Sequence, residues 1–156
     1  MGNKEQAKKV YDSLIRTLDE KNWTYDKFDD DLVIRSGIRG EDLPIEFIIS
    51  VDAERELVRF FSKLPFNTPE DKRFDVALAV TVANNCLVSG NFDFNIDTGD
   101  LYFRLTQSFI GGTVLSDEMF DFVIYVSAST IDEYNDKFFL IAKDKMTLQQ
   151  FIDENK

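Results

Sequence analysis

Residues 68–105 constrain this chain most: a long apolar helix runs straight into a two-strand hairpin. Thr68 suits an N-cap and Pro69 the first helical position, where a missing N–H costs nothing. Glu70 and Asp71 place negative charge at the positive end of the helix dipole. From Phe74 to Leu87 nearly every position is apolar or small. Phe74, Ala77, Leu78, Thr81 and Asn85 make one face, and Val76, Ala79, Val80, Ala83 and Leu87 make another. A helix apolar on more than one face is expected to be buried. Ser89-Gly90 stops it, since glycine readily takes the left-handed cap conformation. The hairpin follows: Phe92, Phe94 and Ile96 alternate with polar residues, as do Leu101, Phe103 and Leu105. Asp97-Thr98-Gly99-Asp100 forms the turn.

The rest of the chain supplies partners for this unit. Ala7, Val10, Tyr11, Leu14, Ile15 and Leu18 recur at helical spacing and predict an amphipathic helix over 3–21. Residues 23–28 read as extended, and Asp29-Asp30-Asp31 as a polar turn. Leu32–Ser36 reads as a strand. Ile45, Phe47, Ile49 and Val51 alternate in the next strand, which turns at 52–55 and returns over about 56–63. On the return strand Leu57, Arg59 and Phe61 share one face. Leu64-Pro65-Phe66-Asn67 reads as a connection, and Phe109-Ile110 as a possible extension of the last hairpin strand. Ser116, with Asp117 and Glu118 behind it, caps a final long helix. Thr147 and Gln150 fit a capping box for a short C-terminal helix.

The order α-β-β-β-α-β-β-α, plus that short helix, predicts an α+β fold. A five-stranded antiparallel or mixed sheet is expected, with helices on one face and the other at least half wet. Residues 1–156 read as one domain, without repeats or a linker.

Charge narrows the function classes. Eighteen Lys and Arg against 29 Asp and Glu give a net charge of −11, which argues against nucleic-acid and anionic-membrane binding. No apolar run is long enough to span a bilayer. Met1-Gly2-Asn3-Lys4-Glu5-Gln6 lacks a hydrophobic signal region, and Gln6 spoils a myristoylation start. A cytoplasmic location is expected. Without histidine the commonest general base and metal ligand is missing. Cys86 falls within the apolar helix and reads as a small core residue.

The quoted segments also carry a family resemblance. Leu43-Pro44-Ile45-Glu46-Phe47, Leu64-Pro65-Phe66 and Pro69-Glu70-Asp71-Lys72-Arg73 resemble the bacterial YbjN-domain family. So do the run Asn84–Asp93, Asp97-Thr98-Gly99-Asp100 and Phe103-Arg104, within a likeness spanning about residues 8–142. That family is similar in fold to the type III secretion chaperones, small acidic dimers that bind polypeptides. Its members are described as sensory transduction regulators. The resemblance implies this fold and a non-enzymatic role, and brings no active-site residues with it.

Local motifs add little chemistry. Asp97-Thr98-Gly99 is the aspartic-protease triplet, but it sits at a hairpin tip and reads as a turn. Asp93, Asn95 and Asp97 resemble the start of a calcium loop, but Thr98 and Arg104 stand where that loop needs Gly and Glu. No metal or cofactor is expected. One of Asn84 and Asn85 is expected to bond backbone in the Ser89–Asn91 turn, and Arg104 to pair with Asp93 or Glu46.

Ile48, Phe61 and Tyr102 interrupt the polar strand faces. If they align, they make with Arg104 a surface for a partner. The leading reading is a polypeptide-binding or regulatory domain, chaperone-like and possibly homodimeric. One alternative is a small-molecule sensor with a pocket between the central helix and the sheet. A carboxylate and metal enzyme using Asp93, Asp97 and Asp100 is the third.

Overall fold

A computed structural model describes residues 2–112 and 115–156; Met1 of the start motif lies outside them. Helix α1 spans Gly2–Glu20 and ends where Asn22 turns to φ 57. Strands β1 (Asp26–Phe28), β2 (Val33–Arg39), β3 (Pro44–Asp52) and β4 (Leu57–Asn67) follow, then α2 (Arg73–Asn85). The hairpin β5 (Asn91–Phe94) and β6 (Asp100–Ser108) precedes α3 (Asp117–Ala142) and α4 (Leu148–Glu154).

Among the described residues the sheet has six strands in the order β1-β2-β3-β4-β6-β5, every pairing antiparallel. The sixth strand corrects the expected five. It is the extended stretch before the Asp triplet, which pairs Lys27 with Ile34. Beta-strand β4 also runs past its expected end to Asn67, through an irregularity between Lys63 and Asn67 that contains Pro65. Proline cannot donate to a ladder, and such irregularities accommodate it. The last strand does not reach Phe109-Ile110. Phe109 N–H instead donates to Glu56 O at 2.9 Å and its ring is buried, while Ile110 is exposed.

Strict alternation sorts the two faces. Ile45, Phe47, Ile49 and Val51 point inward with Val58, Phe60, Leu64, Leu101, Phe103 and Leu105. All four helices lie on that inner side: α1 meets β3, α2 meets β5, α3 meets β3, β4 and β6, and α4 rests on α2. Phe92 is the hub, with rings of Phe103, Tyr134 and Phe138 at 5.1, 5.7 and 5.1 Å. Ser116 caps α3 by accepting from Met119 N–H at 3.2 Å, and the Thr147–Gln150 capping box is formed in both directions.

The central helix departs from expectation. Val76, Ala79, Val80 and Ala83 are buried, but Phe74 is 75% exposed and Leu78 54%. Only one of its two apolar faces meets the fold, because the sheet, α3 and α4 all lie on the same side of it. Its start also differs. Thr68 N–H donates to Gly99 O and Thr68 O accepts from Arg73 Nε, which holds this residue in line with β4. Its hydroxyl caps nothing, and a 3-10 turn over Glu70–Lys72 opens the helix instead. The helix ends at Asn85, so Cys86 lies beyond it and is exposed rather than in the core.

Candidate functional site

Among the described residues no helix lies on the outer face of the sheet, and the predicted surface residues meet on it. In register, Asp26, Arg35, Ile48, Phe61, Arg104 and Asn91 form one row across all six strands. Tyr102 lies one pleat along β6, opposite Lys63, and its ring stacks on Phe61 at 5.2 Å and 30°. Ile48, Phe61 and Tyr102 are each half-buried. Offset stacking of this kind contributes about 0.5–1.5 kcal/mol beyond area burial.

Cations frame the stripe. Arg104 pairs with Asp93 at 3.2 Å, the first of the two partners expected for it. Arg35 pairs with Asp26 at 3.1 Å and lies over the Phe28 ring; Lys63 pairs with Asp100 at 3.5 Å. These pairs are solvent-exposed and each contributes about 1 kcal/mol or less. Arg59 differs. It sits between Ser50 and Thr106, and its Nε is buried without a hydrogen-bond partner. Sequence reasoning placed Arg59 on the Phe61 face but gave it no role. Its isolation depends on neighbours in β3 and β6 that strand alternation cannot reveal.

The carboxylates of the enzyme reading serve structural contacts. Asp93 faces Arg104, and Asp97 lies at the exposed hairpin tip. Asp100 accepts from Asn67 Nδ2 at 3.1 Å. That bond, with Thr98 and Lys63 nearby, holds the Asp100 carboxyl below its ordinary range. Among the described residues no three His, Cys, Asp or Glu side chains stand close enough together to hold a metal ion. The Asp triplet forms an exposed 3-10 turn in which Asp29 accepts from the buried Tyr11 hydroxyl at 2.9 Å.

A concave site exists, but not where a pocket was expected. A groove of about 610 Å³ lies between the first half of α3, the end of α1 and the β2–β3 hairpin. The central helix contributes nothing to it. Trp23, Ile38, Ile45, Ile124, Tyr125 and Ala128 give it apolar walls. Lys21 and Asp121 close one side with an ion pair at 2.6 Å, which raises the Lys21 pKa. Asp132 accepts from Glu41 N–H at 2.8 Å and ties the β2–β3 turn to α3. Lys21 and Asp121 are 100 residues apart, so no sequence signal announced this site.

Fold and surface together define an α+β domain with helices on one face of an antiparallel sheet and an uncovered, aromatic-striped opposite face. Residues 11–140 match the model of the YbjN family, described as "Putative bacterial sensory transduction regulator". The chain belongs to that family. Its fold is similar to the crystal structure of YbjN from E. coli, described as "a putative transcription regulator". The two share 12% identity, with a TM-score of 0.61 over 86% of this chain and 92% of that one. No curated protein matches the chain. No helix among the described residues is long and apolar enough to cross a membrane.

Proposed function

We propose that this chain is a non-enzymatic regulatory domain of the bacterial cytoplasm that binds a polypeptide on the outer face of its sheet. One observation carries the reading: Ile48, Phe61 and Tyr102 line up on neighbouring strands β3, β4 and β6, each half-buried, with the Phe61 and Tyr102 rings stacked. Burying such a stripe releases about 25 cal/mol per Å² of apolar area, and aromatic residues with flanking arginines typify the anchors of protein interfaces. Arg104 and Arg59 would then meet backbone carbonyls or carboxylates of the bound chain. The free, exposed Cys86 suits a reducing compartment.

Affinity capture from a bacterial cytoplasm, run in parallel with wild-type and Phe61→Glu protein, tests this. A polypeptide retained by the wild type and lost from a normally folded Phe61→Glu variant supports the reading. Light scattering on both proteins covers the homodimer version. A dilute monomer that captures the same set of proteins with and without the substitution would overturn it.

A further inference from the structure

We propose that Arg59 is the carboxylate-binding residue of the outer sheet face, so that the bound polypeptide presents an Asp or Glu side chain about 7 Å from its apolar anchor. The inference rests on the polypeptide reading and names the chemistry of that partner. Val58 and Phe60 are buried on the inner side, so strand alternation turns Arg59 outward with Leu57 and Phe61. Register sets Arg59 between Ser50 and Thr106, next to the row of Ile48 and Phe61. Two residues along a strand separate these rows by about 7 Å.

Neighbouring carboxylates are held by other cations. Asp52 accepts from the Arg55 N–H at 2.9 Å and from its Nη1 at 3.0 Å, and Asp93 faces Arg104 at 3.2 Å. Among the described residues no carboxylate lies within ion-pair distance of Arg59. Its Nε is buried without a hydrogen bond, whereas its two Nη atoms, equally without hydrogen bonds, reach solvent. The stem is therefore held and the terminal fork is free. A guanidinium held in this way loses little freedom on binding, and its two Nη atoms match the two oxygens of a carboxylate. Left unpaired, a half-buried charge destabilises the fold. A phosphate recruits a cluster of arginines, and here one guanidinium is free beside the aromatic stripe of a chain with net charge −11. The match is to a singly charged carboxylate.

The probe is 4-phenylbutyrate, which carries an aromatic ring and a carboxylate at a similar separation, with 4-phenylbutyramide as its neutral relative. Each is titrated into the 15N-labelled full chain, and the Arg59 Nε–Hε and Phe61 amide cross-peaks are followed by NMR. The expected result is saturable binding in which the acid moves both cross-peaks and binds about tenfold more tightly than the amide, in line with a charge-assisted contact. Arg59→Met keeps an apolar stem, drops the fork, and binds acid and amide equally. Lys145→Gln, at an exposed cation between α3 and α4, keeps the preference for the acid, and Phe61→Glu loses both probes. Urea denaturation gives the second readout: Arg59→Met unfolds at the same urea concentration as the wild type or higher, because it removes an unpaired charge. Equal affinity for acid and amide in the wild type, or a preference that survives in Arg59→Met, would overturn this assignment and leave the polypeptide reading standing. A destabilised Arg59→Met would make the arginine a support of the fold and overturn it too. So would binding of neither probe, or self-association in light scattering that closes the face to both. The Phe61→Glu capture experiment decides the polypeptide reading separately.

Discussion

The side chain of Asn84 pairs with both backbone groups of Phe92. Its Oδ1 accepts from Phe92 N–H at 2.8 Å and its Nδ2 donates to Phe92 O at 3.0 Å. Phe92 lies on β5, the last strand of the sheet, whose other edge has no neighbouring strand among the described residues. The amide therefore stands where a seventh strand would pair. Unpaired edges invite association with other chains, and this one is closed at its middle. Asn84 thus bonds backbone, but at Phe92 on β5 and not within the Ser89–Asn91 turn expected for it.

Asn84→Ala leaves the Phe92 N–H and C=O without their partner and is expected to destabilise the fold by about 1–3 kcal/mol. Asn84→Asp keeps the acceptor but turns a second oxygen toward Phe92 O, and should be no better than Ala. Urea denaturation measures both. Light scattering at raised concentration should show association in Asn84→Ala that the wild type lacks. Equal stability and equal scattering in all three proteins would refute this role.

Arg73 fixes the hairpin tip from outside the hairpin. Its Nη1 donates to Asp97 O at 2.6 Å, its Nη2 to Thr98 O at 3.3 Å, and its Nε to Thr68 O at 3.3 Å. Gly99, at φ +79, passes so close to Thr68 O that no Cβ would fit. Arg73→Lys retains the charge but not the fork of donors. It should therefore accelerate amide hydrogen exchange at Gly99, which donates to Asn95 O, almost as much as Arg73→Ala does. Protection in Arg73→Lys equal to the wild type would show that charge alone suffices.

Alkaline pH should weaken the fold through tyrosine. Burial, and then the hydrogen bond to Asp19, push the Tyr25 phenol up to about 12 from its ordinary value near 10. Tyr11 is raised in the same direction by burial and by Asp29. The folded state thus favours the protonated phenol. Below pH 10 that contribution is complete; as pH rises from 10 toward 12 the unfolded chain ionises first and stability is lost. Melting curves across this window should fall less steeply for Tyr25→Phe. Identical slopes in the two proteins would remove Tyr25 from the account.

Much of the scaffold was legible because its signals are local. The Ser116 cap and the Thr147–Gln150 box connect residues three apart, and strand alternation at Ile45–Val51 and Leu101–Leu105 needs only the pleat. The sheet-face stripe was half legible: alternation put Ile48, Phe61 and Tyr102 on polar faces, but register brought them together. Cys86 and Phe74 show where such reasoning failed. Both sit in an apolar run, and the tertiary arrangement left both outside the core.

By itself, then, the sequence determined the four helices in outline, five of the six strands and the apolar side of the long strands, since those follow from contacts a few residues apart and from periodicity. Tertiary structure alone decided which side of α2 stays wet, that the Arg59 Nε is buried without a hydrogen-bond partner, and that Trp23 and Tyr125 line one groove. Those outcomes depend on segments far apart in the chain meeting in one register, and no local pattern records which surfaces will meet.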